Sequence, residues 1–258
     1  MLTRETYRDT GLDGVALKPT ECDLLAAVEA LEPSLVAVDY EGAASVPGPE
    51  LLERLAADRS LYVTAPVRAD GFDPRGDDSG FERVPPEAGL VLVAGNAAYL
   101  SDGERGRAVA PRLRAALDDY DREAAPWVGT EGIERLAMAA GGVQYDLLGR
   151  RTESELRALR TAGYDGQVAV YAPTLVSGDD DAVLDALGGY VARRRPVRAA
   201  LPDGASTDAG ATGAARDTLL TAAADYALVG DVDSVSEQVS RLHAAGADIV
   251  VGYPAGGV

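Results

Sequence analysis

Short apolar runs recur along the chain, with helical patterns between most of them. Eight such runs stand out, at residues 14–17, 35–38, 61–64, 90–93, 126–128, 143–146, 168–171 and 249–252. Each is continuously apolar rather than alternating, as expected of parallel strands buried on both faces. The residues between them carry apolar positions at helical spacing. Leu24, Leu25, Val28 and Leu31 mark a helix over 21–31, and others are expected over 49–57, 103–120, 133–140, 180–194 and 233–245. A Thr-Glu-Ser-Glu capping box opens a further one over 152–162. Alternating strand and helix imply a parallel sheet. Eight strands favour an α/β fold of the (β/α)8 TIM-barrel type over an open sheet, built as a single domain spanning 1–258.

Two stretches break the pattern. Residues 68–88 (RADGFDPRGDDSGFERVPPEA) have no periodicity and many Gly, Pro and Asp. They follow the third strand, so in a barrel they lie over the C-terminal face, where active sites form; alternatively they are a disordered surface loop. Residues 202–215 (PDGASTDAGATGAA) are low in complexity and read as flexible.

Composition adds a strong acidic bias. The 258 residues include 42 acidic and 24 basic side chains, for a net charge of -18. Lys18 is the only lysine. The acids are spread through every segment, which points to a haloarchaeal, salt-filled cytosol rather than to an acidic docking tail. At molar salt the Debye length is only about 3 Å, so self-repulsion is screened. Without a basic face, nucleic acid is not an expected partner. Cys22 stands alone, which excludes an internal disulfide and a cysteine metal cluster. The N-terminus carries no apolar signal-peptide core and no run approaches the roughly 18 residues of a membrane span, so a soluble, cytoplasmic protein is expected.

A barrel directs attention to the ends of its strands. Lys18, after the first strand, suits a Schiff base or is a leftover cation beside Pro19. Asp39 and Glu41, after the second, face one side by alternation. They are an acid–base pair, a hard-cation site or solvated loop acids. Asn96 and Tyr99 follow the fourth strand and offer hydrogen bonds. His243, the sole histidine, falls within a helix beside Val239, Leu242 and Ala245, so no Ser-His-Asp or Cys-His device and no histidine zinc site can be built. Neither a dinucleotide fingerprint nor a P-loop is present. One anion-binding pattern remains. The fifth strand runs into Gly129-Thr130-Glu131-Gly132 and then directly into a helix, the layout that cradles a phosphate on backbone N–H groups.

The segment "WVGTEGIERLAMAAGGVQYDLL" (127–148), with "VAVYAPTLVSGDDDAVLDALGGYVARR" (168–194) and "GDVDSVSEQVSRLHAAGADIVVGYP" (230–254), resembles in order and layout the C-terminal part of the luciferase-like flavin- or deazaflavin-dependent monooxygenases and reductases. The resemblance covers about half the chain. It implies a TIM-type barrel with FMN or a deazaflavin coenzyme whose phosphate sits at Gly129, Thr130, Glu131 and Gly132, with Thr64, Asn96 and Tyr40 lining the pocket. It also implies a homodimer and a small-molecule ligand. Relative to that family the N-terminal half is short or irregular, and Glu131 stands where a small or polar residue is usual. A carboxylate close to a phosphate is repulsive by about 1 kcal/mol in water; Arg135 is placed to neutralise it in an i, i+4 pair.

Three readings follow. The chain is an oxidoreductase of the luciferase-like kind with unknown substrate, or a non-catalytic descendant that has lost its cofactor and binds a partner or small molecule. The third is a barrel lyase using Lys18, or Asp39 and Glu41 with a metal. A barrel mouth filled by side chains supports the second, and an open apolar pocket of roughly 300 Å3 or more counts against it.

Overall fold

The computed structural model describes residues 2–129 and 141–258. Eight parallel strands close into a ring: β1 (Gly14–Leu17), β2 (Leu35–Val38), β3 (Ser60–Pro66), β4 (Gly89–Val93), β5 (Trp127–Gly129), β6 (Val143–Leu147), β7 (Val168–Val176) and, closing back onto β1, β9 (Ile249–Pro254). The fold is a (β/α)8 TIM-type barrel. Its eight staves are the eight apolar runs of the sequence. The ninth strand, β8 (Leu228–Gly230), lies outside the ring. It pairs with Thr174–Val176, where the long β7 continues beyond the stretch that pairs with β6.

The staves are Val- and Ala-rich because both faces are covered. Outward side chains such as Val15, Val36, Val63, Leu90, Leu92 and Val170 join one large cluster with the surrounding helices. These include α1 (Arg4–Thr10), α2 (Leu24–Leu31), α3 (Pro49–Ala56), α4 (Val109–Asp118) and α5 (Thr152–Thr161); α6 (Gly213–Tyr226) packs in separate clusters through Leu219 and Ala223, and α7 (Val232–Ala245) joins the large one. Inward side chains form a second cluster of Ala16, Ala37, Val91, Trp127, Val143, Ala169, Tyr171 and Val251. Small residues on β1 and β2 face large rings on β3, β5, β6, β7 and β9. No helix among the described residues is long and apolar enough to cross a membrane.

Several boundaries differ from expectation for local reasons. The helix expected from residue 21 begins at Leu24, because the Asp23 carboxylate accepts from the N–H groups of Leu25 and Ala26, both at 3.0 Å, and caps it there. The expected 103–120 helix splits into Asp102–Arg105 and α4, with Gly106 at the break and Pro111 in the first turn of α4. The 180–194 helix contains a π-turn at Leu184–Gly188, where Gly188 lies so close to the Thr207 carbonyl that a Cβ would come within 2.1 Å of it. The segment expected to be flexible is thus partly tied down: Asp185 accepts from the Ala209 N–H at 2.8 Å, and Ala211 is buried. The Ala-rich α6 follows it.

Residues 68–88 are an ordered loop over the C-terminal face. Phe72 is buried and packs edge-on against Tyr40 and Phe81, with centroids at 6.0 and 5.3 Å. Arg122 donates to the carbonyls of Pro85 (2.6 Å), Ala88 (2.9 Å), Phe81 (3.0 Å) and Val84 (3.1 Å). Asp73, 1% exposed, pairs with Arg107 at 3.2 Å and Arg112 at 2.9 Å. Removing one partner of an enclosed pair leaves the other charge uncompensated. Asp73→Ala is therefore expected to lower unfolding free energy by about 2–3 kcal/mol, checked by denaturant titration at constant high salt. A change below about 0.5 kcal/mol contradicts an anchoring role.

Candidate active site

The polar residues of the barrel interior collect at its C-terminal end. The register pairs Leu17 with Val38 and Val38 with Val63. The next position on each strand is therefore Lys18, Asp39 and Thr64, a row of three on neighbouring strands. Strand alternation turns all three toward the lumen, as it does Ala16, Ala37 and Tyr62 below them. Asp39 continues the ladder by donating its N–H to the Leu17 carbonyl at 2.9 Å.

From the far side of the ring, the Tyr171 hydroxyl donates to Asp39 Oδ2 at 3.1 Å. Burial is the main influence on the Asp39 carboxyl. Tyr171 and Lys18 pull its pKa down, Glu41 and Glu21 push it up, and the result is about 7 against an ordinary 3.8. Burial also raises the phenols of Tyr171 and Tyr145 well above the usual range, with the Asp39 charge adding to the effect. Both phenols therefore stay protonated at neutral pH.

Lys18 is engaged at the rim. Its Nζ lies 3.0 Å from Glu21 Oε1 and 4.0 Å from the Tyr253 ring centroid. The Tyr253 hydroxyl donates to the other Glu21 oxygen. Burial acts to raise Glu21, but the Tyr253 and Lys18 hydrogen bonds outweigh it and hold the carboxyl below its ordinary value. Glu41 turns away from Asp39 to accept from the Thr20 N–H at 3.0 Å and from the Thr20 hydroxyl. The two carboxylates predicted as a pair thus have different tasks: Asp39 faces the lumen, and Glu41 ties the loop after β1 to the loop after β2.

Aromatic rings run through the lumen below and beside this cluster. Tyr62 stacks on Trp127 (4.2 Å between centroids), Trp127 reaches Tyr145 (5.3 Å), Tyr145 meets Tyr171 edge-on (6.0 Å), and Tyr171 stacks with Tyr253 (6.3 Å). Two lumen hydroxyls, Thr64 Oγ1 and Tyr145 Oη, are sealed from solvent and have no hydrogen-bond partner among the described residues. Buried hydroxyls are normally paired, so each asks what it is for.

The other anticipated residues fall elsewhere. Gly129 ends β5, where a Cβ would come within 2.5 Å of the Tyr145 carbonyl oxygen, so close strand packing accounts for this glycine. Thr130, Glu131, Gly132 and Arg135, with the helix expected from the sequence over 133–140, lie outside the described residues. Asn96 is exposed and caps a 3-10 turn by accepting from the Ala98 N–H at 2.9 Å. Tyr40 packs on the loop after β3 instead of facing the lumen. His243 is a helix residue, with Nδ1 3.1 Å from the Ala247 carbonyl and Nε2 3.2 Å from Asp13. No group of acidic, His or Cys side chains able to hold a metal occurs among the described residues. A cleft of about 320 Å3 lies outside the barrel between α5 and α7, bordered by Arg150, Arg157, Arg241 and Glu153. Glu153 bridges Arg157 at 2.8 Å and Arg241 at 3.4 Å across it.

Tyr145, Tyr171 and Tyr253 were not anticipated. A signal for them exists in the composition, since 11 tyrosines stand against 2 phenylalanines. Tyr in the middle of an apolar strand brings a hydroxyl that must be accommodated.

Fold and site together define a parallel (β/α)8 barrel with a buried carboxyl–phenol pair at its C-terminal mouth. The chain belongs to a family described as a family of unknown function, DUF7388, whose pattern spans residues 7–258. No curated protein matches it. Among solved structures it is similar to an F420-dependent secondary alcohol dehydrogenase in complex with an F420-acetone adduct. That match has a TM-score of 0.56 at 13% identity, over 95% of this chain and 94% of the other. The likeness is one of fold.

Proposed function

We propose that this protein is a luciferase-like oxidoreductase that binds a deazaflavin or flavin at the C-terminal mouth of the barrel. One observation carries the reading: Lys18, Asp39 and Thr64 form a row at that mouth, facing Tyr145 and Tyr171, where catalytic groups of such barrels gather. The end-to-end likeness to an F420-dependent enzyme supports a deazaflavin over FMN. The unpaired Thr64 and Tyr145 hydroxyls fit a ligand with a hydrogen-bonding edge, and the turn after Gly129 is the expected seat of its phosphate. A bound cofactor of this type would carry the two-electron chemistry. The chain's own part is to exclude water with the aromatic wall and to hold a proton on Asp39, oriented by Tyr171. A carboxyl with a pKa near 7 can give or take that proton at neutral pH.

The test is titration of the protein with F420 and, separately, with FMN at molar salt, read by visible absorbance. Saturable binding of F420 with Kd below about 1 mM is expected, and its absence for both cofactors overturns the reading. The stacked rings that fill the lumen favour a second reading, a barrel that keeps the fold without the cofactor. On that reading neither cofactor binds and purified protein is colourless. The acidic surface supports a salt-rich cytosol as the working environment.

A further inference from the structure

A second concavity lies outside the ring, and the barrel mouth makes no use of it. The cleft of about 320 Å3 between α5 and α7 opens where β6 runs out into Leu148 and Gly149. That volume is at the lower end of the range of small-molecule pockets. Its floor is apolar, lined by Leu148, Leu228 and Leu242, each of them buried. Its rim is charged. Arg150, Arg157 and Arg241 border it, against the carboxylates of Glu153 and Asp225. A chain with a net charge of -18 thus gathers a local excess of cations around one cavity.

These arginines are only partly used. One carboxylate serves two of them: Glu153 Oε2 is 2.8 Å from Arg157, and Oε1 is 3.4 Å from Arg241. Arg241 also reaches Glu237 at 3.5 Å, and Arg150 stands 3.8 Å from Asp225. A guanidinium has five N–H donors, so donors remain for a further acceptor. The side chains of Arg157, Arg241 and Glu153 are 57%, 48% and 37% exposed. Bridges so open to solvent contribute little to stability. Leu156 on α5 and Val239 on α7, buried in the same cluster, hold the two helices without them. What the bridges do provide is a carboxylate seat between two guanidiniums, at the edge of an apolar floor.

We propose that this cleft binds a small organic carboxylate, whose acid group displaces Glu153 between Arg157 and Arg241 and whose hydrocarbon body covers Leu148, Leu228 and Leu242. Guanidinium forks accept a carboxylate through paired, charge-assisted hydrogen bonds, and the body gains by leaving water for the floor. At molar salt, charges more than about 3 Å apart are screened. The acid group therefore has to touch the guanidiniums rather than be drawn by the patch as a whole. The site is separate from the barrel mouth and does not depend on the cofactor reading.

Calorimetric titration of the full-length protein in molar potassium chloride tests this with three probes. Benzoate has both the ring and the acid, acetate has the acid without the ring, and benzyl alcohol has the ring without the acid. Benzoate is expected to bind saturably, at least about tenfold more tightly than either of the others. Arg157→Gln and Arg241→Gln should each weaken benzoate at least about tenfold. Glu153→Gln removes the competing carboxylate and should tighten it. Arg151→Gln makes the same change of charge beside the cleft, at a guanidinium that pairs with Glu155 at 3.0 Å, and should leave binding unchanged. The proposal falls if benzoate does not bind, if acetate or benzyl alcohol matches it, or if Glu153→Gln fails to tighten it. It falls equally if the two cleft arginines can be replaced without loss, or if Arg151→Gln weakens binding as much as they do. Because the side chains are exposed, every variant should melt close to the parent. A much lower melting temperature for Glu153→Gln marks its bridges as structural and counts against the proposal, and the three probes on the parent protein decide the ligand class without any variant.

Discussion

Asp39→Asn is expected to make the protein more stable at pH 8 while leaving it about as stable as the parent at pH 4. The reason is linkage. In the folded chain Asp39 holds its proton up to about pH 7, whereas in the unfolded chain it ionises near 3.8. Below pH 4 both states are protonated and nothing is lost. Between pH 4 and 7 unfolding releases a proton, so stability falls as pH rises, and above 7 the loss is complete. That interval corresponds to at most roughly 4 kcal/mol. Asparagine cannot ionise, and its amide oxygen can still accept from Tyr171. The informative quantity is therefore the difference between variant and parent, measured by denaturant unfolding at several pH values in constant molar salt, since the many other carboxylates cancel. A difference that does not grow from pH 4 to pH 8 contradicts a buried, proton-holding Asp39. Such a residue also costs the fold stability at neutral pH, which is common where a group is kept for chemistry rather than for packing.

The barrel was legible because its staves are buried on both faces. Continuous Val, Ala and Leu runs can be little else at that length, and all eight proved to be ring strands. What escaped notice lacked that contrast. The three residues of β8 are too few to form a pattern, and α6 begins in a Gly- and Ala-rich stretch with weak amphipathicity. The loop after β3 could be placed over the C-terminal face but not told from a disordered loop, because its order comes from distant arginines, Arg107, Arg112 and Arg122, which no local pattern pairs with Asp73 or with the loop carbonyls.

The site was legible in part for the same reason. Lys18, Asp39 and Thr64 could each be placed at a strand end from sequence, but only the register makes them neighbours. Glu41 shares a face with Asp39 on paper, yet the chain leaves the strand after Val38 and Glu41 reaches Thr20 instead. The tyrosines came from the opposite half of the ring, where the sequence showed only apolar strands. Glycine-turn reasoning led to Gly129, whose lack of a side chain is accounted for by the Tyr145 carbonyl beside it.

Trp127→Ala should have the largest packing effect in the molecule, a loss of about 3–5 kcal/mol. Trp127 is 1% exposed, and it is the central ring of the lumen, stacked on Tyr62 at 4.2 Å and 5.3 Å from Tyr145. Its neighbours on β4 and β6 are the closed ladder of the barrel, held by backbone pairing with Val91 and Val143, so the strands cannot move in to fill the gap. The cavity therefore stays open, and the two remaining rings lose their partner. Trp127→Phe keeps a ring in place and should lose less than half as much. Denaturant unfolding of the three proteins, followed by far-UV circular dichroism because the tryptophan is gone, checks both values. Equal losses for Ala and Phe would mean that the indole matters for something other than volume. A loss below about 1 kcal/mol for Ala would mean that the lumen collapses around the gap, which a closed ring of paired strands does not permit.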